Sequence, residues 1–297
     1  MDLISIRDVD KGKIEDILDL TEKMEKDLEK DKVKKRDGVL ATLFFEPSTR
    51  TKLSFQSAAS RLGMEYVDFL TERSSLKKGE SFTDTVKTVD GYADVLAVRH
   101  KEEGSSRLAA EVCESPVVNG GDGGNQHPTQ TLIDLYTIRK LKKKIAGLNV
   151  TLIGDLKHAR TMHSLVYALG MFGANITLIA PEGLEMESVH LDEAKNKFKM
   201  KIKEKNAPDF SDADVVYACR IQAERFADPY EAKRVMDKFR ITSENLKGVK
   251  EDMIILHPLP KVNEIEASID NTKYAKYFEQ AHYGVPVRMA VIDYLLR

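Results

Sequence analysis

The sequence predicts an α/β protein with two α/β domains, each holding a mostly parallel sheet flanked by helices. Three observations lead to this prediction. Apolar segments of strand length alternate with segments of helical apolar spacing along most of the chain, a pattern typical of parallel sheets. The alternation stops at a lysine-rich stretch over 140–147 and then restarts. The 297 residues are about twice the most common domain length, enough for two domains of ordinary size.

In the first half, buried strands and apolar-faced helices follow one another. Strands are predicted where apolar residues run together, at 38–45, 66–70, 95–98 and 116–119. Helices are predicted where apolar residues recur at intervals of three and four, over 55–62, 82–93 and 128–138. Pro128 suits the first turn of the last helix, because the missing N–H is not needed there.

The second half repeats this alternation. Strands are predicted at 150–153, 176–179, 215–217 and 253–256, with helices from about Thr161 and over 285–295. The lysine-rich run 199–205 is interpreted as a solvated face. In parallel sheets, ligands bind at the carboxyl ends of the strands. The residues that follow each strand are therefore the first place to search for chemistry.

Composition narrows the class of protein. The 46 basic and 48 acidic residues nearly cancel, which argues against a dedicated nucleic-acid binder. The longest apolar runs have five residues, far short of a membrane span, and the N-terminus carries acids where a signal peptide needs an apolar stretch. Two cysteines are too few for a disulfide framework or a four-thiolate zinc site. We therefore expect a soluble, cytoplasmic protein with no nucleic-acid or membrane partner.

Arginines follow four of the predicted strands. Arg50 and Arg160 each precede a threonine at a strand-to-helix junction, where free N–H groups and the helix dipole attract anions. Taken singly, each arginine could be an ordinary surface charge beside a Ser or Thr cap. Taken with Arg99 and Arg220, they indicate a pocket for substrates with several negative charges, since guanidinium groups match phosphate and carboxylate bidentately.

Other kinds of active site lack their motifs. There is no glycine fingerprint for a dinucleotide, no phosphate-binding P-loop, and no H-E-x-x-H or paired-cysteine metal set. Cys219 is interpreted as a buried structural residue at a strand end, not as a nucleophile. We expect no cofactor and no metal, and chemistry that depends on positioning and charge stabilisation.

Five motifs, in order from about residue 39 to the C-terminus, carry a family resemblance. The chain resembles the aspartate/ornithine carbamoyltransferases. Its second half is similar to the aspartate-specific members, because H-P-L-P stands where ornithine-specific members typically have H-C-L-P. The motifs are F-E-P-S-T-R-T (45–51), H-P-T-Q (127–130), G-D-L-K-H-A-R-T (154–161), R-I-Q-A-E-R (220–225) and H-P-L-P (257–260).

The resemblance implies a reaction and a division of labour between the domains. The carbamoyl group of carbamoyl phosphate would pass to the α-amine of L-aspartate, giving N-carbamoyl-L-aspartate and phosphate, an early step of de novo pyrimidine (UMP) biosynthesis. Residues 1–142 would bind carbamoyl phosphate and residues 143–282 aspartate, with the C-terminal helix 283–297 packing back on the first domain. The active site would lie in the cleft between the domains.

The resemblance also assigns residues. Three would surround the carbamoyl oxygen as catalytic donors: Thr51, Arg99 and His127. Carbamoyl phosphate would be bound by Ser48, Thr49, Arg50, Thr51, Arg99, His127, Gln130, Leu259 and Pro260. L-Aspartate would be bound by Lys78, Arg160, Arg220 and Gln222, with Arg160 on the α-carboxylate and Arg220 on the β-carboxylate.

The loop 73–80 resembles the family loop that enters a neighbouring subunit's active site. Lys78 would reach the substrates of that subunit, joined by Ser74 or Ser75, and the choice between these serines stays open because the loop is about a residue short. The resemblance therefore implies a homotrimer with active sites shared between chains. It also allows regulatory chains as partners and allosteric regulation.

Two alternatives remain at this point. An ornithine or related carbamoyltransferase would need an acid for the ornithine ammonium, where this sequence offers Arg160 and Arg220. A non-catalytic scaffold homologue would have lost charged site residues, and none is missing from the motifs.

Overall fold

A computed structural model describes residues 1–70, 74–222 and 226–297. The chain divides into two compact units, Met1–Tyr136 together with Tyr283–Arg297, and Thr137–His282. Each unit has one parallel sheet with helices, so the predicted fold class is confirmed. The helices are α1 (Lys11–Glu29), α2 (Thr49–Leu62), α3 (Phe82–Asp90), α4 (Ser105–Val112), α5 (Pro128–Lys142), α6 (Arg160–Met171), α7 (Ser188–Phe198), α8 (Pro229–Phe239), α9 (Tyr277–His282) and α10 (Gly284–Leu295).

The first unit contains a four-stranded sheet in the order β2-β1-β3-β4, with every neighbouring pair parallel. The strands are β1 (Val39–Phe44), β2 (Glu65–Leu70), β3 (Val95–His100) and β4 (Val117–Asp122). The chain start adds to the edge of this sheet, because Leu3 pairs with Val118. Since all strands run the same way, their carboxyl ends share one edge.

The C-terminal helix packs in the first unit, against α1 and α2. Asp293 of α10 lies 2.5 Å from the Arg36 guanidinium, and the Arg297 guanidinium lies 2.9 Å from its other oxygen. Burial disfavours the charged Asp293, but these two arginines outweigh burial and hold the pKa of the carboxyl below its usual range. The ion pairs anchor the end of the chain next to the segment that enters β1.

The second unit contains a five-stranded parallel sheet in the order β7-β6-β5-β8-β9. The strands are β5 (Asn149–Ile153), β6 (Asn175–Ile179), β7 (Ile202–Lys205), β8 (Val215–Ala218) and β9 (Ile254–Leu256). The run 199–205 is solvated as predicted, since Lys199, Lys201 and Lys203 are exposed, but its second half, Ile202–Lys205, also pairs with β6 as an edge strand that was not predicted. Alternating lysines protect such an edge from further strand pairing, which is why the charge pattern resembles a surface run.

The sequence patterns located the central strands and missed five helices, α1, α4, α7, α8 and the six-residue α9. Helices α1, α4, α7 and α8 carry buried residues, but polar and charged residues separate them, so no broad apolar face marks these segments. Helix α1 is the clearest case: Ile14, Ile17, Leu18 and Met24 form its buried side within a segment rich in Lys, Glu and Asp. Among the described residues, no helix is both long and apolar enough to cross a membrane.

Candidate active site

The motif residues lie at the carboxyl ends of parallel strands in both units. In the first unit, residues 46–51 follow β1, Arg99 lies at the end of β3, and residues 126–130 follow β4. In the second unit, residues 154–160 follow β5, Arg220 follows β8, and residues 257–260 follow β9. Each sheet thus gathers its motif residues at the edge where α/β proteins bind ligands.

The segment after β1 forms the beginning of α2. Ser48 is the N-cap residue in extended backbone, and Thr49 is the first helical residue. The first N–H groups of a helix have no carbonyl partner within it, so this turn presents donors and the positive end of the dipole. Thr51 is buried, whereas Arg50 is exposed at the surface. Partial burial of the guanidinium lowers the pKa of Arg50, but the group stays cationic at neutral pH.

Arg99 is held in place by Glu46, a motif residue to which the sequence analysis gave no role. The Arg99 Nη2 lies 2.7 Å from Glu46 Oε1, and Nη1 donates to the carbonyl of Gly120 at 3.1 Å. The Arg99 carbonyl accepts the N–H of Phe45 at 2.8 Å. These bonds join the ends of β1, β3 and β4 and fix one guanidinium at the ligand edge.

A buried aspartate organises the glycine loop that leads to His127. Asp122 Oδ1 accepts the side-chain amide of Asn119 at 2.8 Å and the N–H of Gln126 at 3.1 Å. Its other oxygen accepts the N–H of Gly104 at 2.9 Å. Asn119 also donates to the carbonyl of Ile4, which connects the loop to the chain start. No sequence motif marked Asp122: its partners Asn119 and Gln126 are near in sequence, but Gly104 lies 18 residues earlier.

His127 lies directly before α5 and is 5% exposed. Its carbonyl accepts the N–H groups of Gln130 and Thr131 at 3.0 and 3.2 Å, so it begins the helix. Its Nδ1 lies 3.4 Å from Thr129 Oγ1. The Gln130 amide donates one hydrogen to Asp134 Oδ1 at 2.8 Å, which orients the rest of the amide. The structure therefore positions His127 and Gln130 rigidly at one helix start.

In the second unit, the ends of β5 and β8 approach very closely at Gly154. This residue has φ +129°, and a Cβ atom there would lie 2.2 Å from the carbonyl oxygen of Cys219. Asp155 is buried and accepts the His158 N–H at 3.0 Å, which shapes the turn into Arg160, the first residue of α6. Only glycine permits this approach, and the approach brings the Arg160 and Arg220 segments side by side.

Cys219 is buried, and its thiol contacts the Asp155 carbonyl at 3.4 Å. Burial raises the pKa of this thiol well above its usual value. The geometry agrees with its interpretation as a structural residue. Arg220 and Gln222 follow it and are partly exposed. The rest of that motif, 223–225, lies outside the described residues.

The turn after β9 is organised by a histidine and a glutamate. The His257 Nδ1 accepts the N–H of Leu259 at 2.8 Å, so Nδ1 is unprotonated and the ring hydrogen is on Nε2. His257 Nε2 lies 2.8 Å from Glu264 Oε1, a short contact that is not aligned as a straight hydrogen bond. The His257 N–H donates to Gln280 Oε1 at 2.9 Å. Leu259 has φ +55° and a cis bond to Pro260.

Glu264 is 7% exposed and also accepts the N–H groups of Val262 and Asn263, both at 3.0 Å. Burial disfavours its charged form, but His257 and these donors outweigh burial and lower the pKa of the carboxyl. The sequence analysis missed Glu264 and Gln280, because neither belongs to a motif. Their bonds hold His257 and residues 262–263, on either side of the Leu259–Pro260 turn.

The loop carrying Lys78 contains a short 3-10 helix, Ser75–Lys78, which ends at Gly79 with φ +92°. Lys78 and Ser75 are exposed and Ser74 is partly buried. Within residues 1–70, 74–222 and 226–297, the Lys78 ammonium has no acidic partner. Arg73 lies outside the described part of this loop. In the same described ranges, no group of three or more His, Cys, Asp or Glu residues is arranged to hold a metal ion.

Comparison with known proteins matches both halves of the chain. Residues 1–140 match the carbamoyl-P binding domain of the aspartate/ornithine carbamoyltransferases, and residues 146–295 match their Asp/Orn binding domain. The chain belongs to the aspartate/ornithine carbamoyltransferase family. The resemblance stated from the five motifs is thereby confirmed.

Three similar proteins carry aspartate carbamoyltransferase, or its synonym aspartate transcarbamoylase, in their names. The aspartate carbamoyltransferase catalytic subunit of Thermococcus kodakarensis is 49% identical, covering 99% of this chain and 96% of that protein. The solved catalytic subunit of M. jannaschii aspartate transcarbamoylase is 44% identical, with a TM-score of 0.93 over 99% of this chain and 97% of that one. Aspartate transcarbamoylase from Trypanosoma cruzi, solved with N-(phosphonacetyl)-L-aspartic acid, is 33% identical, with a TM-score of 0.93 over 98% and 94%.

Proposed function

We propose that this chain transfers the carbamoyl group of carbamoyl phosphate to the α-amine of L-aspartate, releasing N-carbamoyl-L-aspartate and phosphate. The observation that carries the proposal is the placement of cationic and hydrogen-bond-donating residues at the strand ends of both sheets, in a chain whose relatives are aspartate carbamoyltransferases. The two substrates together carry about four negative charges, which suits such a set of donors. The enzyme is a carbamoyl-group transferase.

The first unit supplies most of the donors for carbamoyl phosphate. The α2 start, with Ser48, Thr49 and Arg50, provides N–H groups and a guanidinium for the phosphate. Gln130, oriented by Asp134, is suited to the carbamoyl nitrogen. From the second unit, we assign the carbonyls of Leu259 and the Pro260 turn to the carbamoyl NH2 and the incoming amine.

Carbamoyl transfer begins with attack of the neutral aspartate amine on the carbonyl carbon. A new C–N bond forms and the carbonyl electrons move to oxygen, giving a tetrahedral oxyanion. Thr51, Arg99 and His127 would donate hydrogen bonds to that oxygen, each worth about 3–4 kcal/mol in comparable sites. The C–O bond to phosphate then breaks, and the leaving phosphate accepts the proton of the amine. No protein base is required, so His127 acts as a donor.

The acceptor substrate has two carboxylates, and the second unit offers two arginines. We assign Arg160 to the α-carboxylate and Arg220 to the β-carboxylate, with Gln222 supporting the second. Lys78 would approach both substrates from a neighbouring chain. In this proposal residues 1–142 hold carbamoyl phosphate, residues 143–282 hold aspartate, and helix 283–297 belongs with the first domain.

Sharing of Lys78 implies that the enzyme works as a homotrimer. The lack of an acidic partner for Lys78 among the described residues supports this arrangement, because the ammonium is available to a second chain. We further propose a cytoplasmic enzyme of pyrimidine biosynthesis, for which the resemblance allows regulatory chains as partners and allosteric regulation.

The deciding experiment is phosphate release from carbamoyl phosphate by the purified chain, with L-aspartate and L-ornithine as parallel acceptors. We expect turnover with aspartate alone. Turnover with ornithine alone would agree with the proposed carbamoyl phosphate site but would overturn the roles of Arg160 and Arg220. No phosphate release with either acceptor, from a folded trimer, would favour a non-catalytic scaffold homologue. An Arg107→Ala variant, altered at an exposed surface arginine, is the control and should keep full activity.

A further inference from the structure

Arg288 is a buried cation in the first unit without a buried anion to match it. Its side chain belongs to α10 and is 3% exposed. Within the described ranges its guanidinium meets no carboxylate, and its Nε has no hydrogen-bond partner. Burial, and to a lesser degree the charge of Arg99, lower the pKa of Arg288 to about 9, so it remains a cation at neutral pH. Burying an unpaired charge lowers the stability of the fold, so we looked for a role that this arginine has in the site.

The contacts of Arg288 connect the elements that carry the carbamoyl phosphate motifs. Its guanidinium lies 4.8 Å from the centre of the Phe55 ring on α2, a cation–π contact. Its Nη1 donates to the carbonyl of Gly284 at 3.2 Å, within its own helix. Its Nη2 donates to Thr129 Oγ1 at 3.4 Å. Thr129 lies two residues after His127, so this contact links Arg288 to the start of α5.

The hydrogen-bonding capacity of the guanidinium and the hydroxyl gives these bonds a direction. A guanidinium only donates, so Thr129 Oγ1 accepts from Arg288 and must send its own hydrogen elsewhere. Thr129 is fully buried, and within the described residues His127 Nδ1, at 3.4 Å, is the side-chain acceptor that its hydroxyl contacts. Both contacts are long and individually weak, and a hydroxyl can accept two hydrogen bonds, but only donation to His127 Nδ1 also gives the buried Thr129 hydrogen a side-chain acceptor. That arrangement leaves His127 Nδ1 unprotonated and places the ring hydrogen on Nε2.

We propose that Arg288 and Thr129 form a relay that holds the His127 ring in its Nε2–H tautomer and in one orientation. Arg288 is a positioning residue, acting through Thr129. This inference deepens the proposed function and rests on it, since a donor at Nε2 is what a developing carbamoyl oxyanion needs from His127. It explains an arginine among the apolar residues of α10, far along the chain from the motifs.

The tautomer can be measured without substrate, by ¹⁵N NMR of histidine-labelled protein. The His127 signals are assigned by their loss in His127→Gln. We expect a pyridine-type shift for Nδ1 and a protonated, pyrrole-type shift for Nε2 in the unmodified chain. In Thr129→Val, which keeps the side-chain shape and removes the hydroxyl, the two shifts should move toward each other as tautomers mix. Thr129→Ser should restore the original pattern.

Kinetics add a second readout. In Thr129→Val we expect kcat to fall about tenfold while KM for carbamoyl phosphate stays within about twofold, because orientation is lost and binding is not. Arg288→Gln should shift both readouts the same way if it folds. Thr88→Val, at an exposed threonine of α3 that also bonds within its helix, is the matched control and should change neither.

The two readouts separate the relay from the proposed function. A protonated Nδ1 in the unmodified chain, or unchanged His127 shifts in Thr129→Val, would overturn the relay. Altered shifts with unchanged kcat would uphold the relay as a structural device and overturn its catalytic part, and with it the donor role of His127.

Discussion

At the scale of single residues, the site depends on donors whose roles are fixed by their neighbours. Glu46 fixes Arg99, Asp134 orients Gln130, and His127 starts a helix with its own carbonyl. Such preorganisation means that little has to move when charge develops in the transition state. Substitution of a residue at the reacting oxygen should therefore lower kcat more than it raises KM.

We predict that His127→Ala lowers kcat about 10²- to 10³-fold, because one donor to the oxyanion is lost. KM for carbamoyl phosphate should change far less. Steady-state kinetics with phosphate release as the readout measure both. His282→Ala, at an exposed histidine of α9, is the control. If His127→Ala raised KM and left kcat intact, His127 would be a binding residue only.

The sequence identified residues of this site that belong to local motifs and missed those that support them from elsewhere. The segment 45–51 could be recognised because one strand end and one helix start contain all of it. Asp122 and Glu264 bond to residues that are close in the chain but share no motif with them, and Arg288 contacts Thr129, 159 positions away, so no spacing rule marks these three. In the sequence, Arg288 stands out only as an arginine within an apolar helix. Its contacts with Thr129 and Phe55 are needed to assign it a role.

At the scale of elements, prediction succeeded for strands because a central parallel strand is a nearly continuous apolar run. It failed for α7 and α8, whose charged residues conceal a narrow buried side. It also missed the strand β7, because the alternating charges that protect this exposed edge have the pattern of a solvated run. Loops were located as the gaps between strands, which is enough to find the ligand edge of each sheet.

Gly154 sets the separation of two strand ends. We predict that Gly154→Ala lowers the free energy of unfolding by about 3 kcal/mol, since φ +129° is strained for alanine and its Cβ would lie 2.2 Å from the Cys219 carbonyl oxygen. Aspartate KM should rise more than carbamoyl phosphate KM. The matched control is Gly173→Ala, at φ +74° with no heavy atom within 4 Å of the new Cβ. That control should cost only about 1 kcal/mol, and an equal loss in both would refute the close-approach argument.

The turn at 257–260 depends on the ionised Glu264. Because its pKa is lowered in the folded chain, Glu264 stabilises the fold above its ordinary pKa of 4.5, and this stability is lost as pH falls through the folded pKa. We predict that Glu264→Gln costs about 1–3 kcal/mol at pH ~7 and that the difference shrinks on acidification toward pH ~3. Urea unfolding at several pH values measures it, with the exposed Glu251→Gln as control. A difference independent of pH would mean that packing, not charge, holds the turn.

At the scale of the whole molecule, the proposed assignment takes every site residue from one chain except Lys78. This lysine is exposed, lies in a loop closed by Gly79, and has no acidic partner in the described part of the chain. A lysine that binds dianionic substrates needs to be free of competing carboxylates. Such an available ammonium is what the proposed shared site needs, and a closed ring of chains would give every loop a site.

We predict that two inactive variants regain activity when their chains are mixed. In a Lys78→Ala trimer every site lacks the lysine, and in an Arg50→Ala trimer every site lacks the phosphate-binding arginine. If sites are shared, a hybrid trimer contains some sites that take Arg50 from one chain and Lys78 from its neighbour. Random mixing in equal amounts would make about a quarter of all sites intact. Phosphate release after unfolding and refolding the mixture measures the regain, and each variant refolded alone is the control. No regain from trimers shown by mass to be mixed would place Lys78 and Arg50 in the same chain's site.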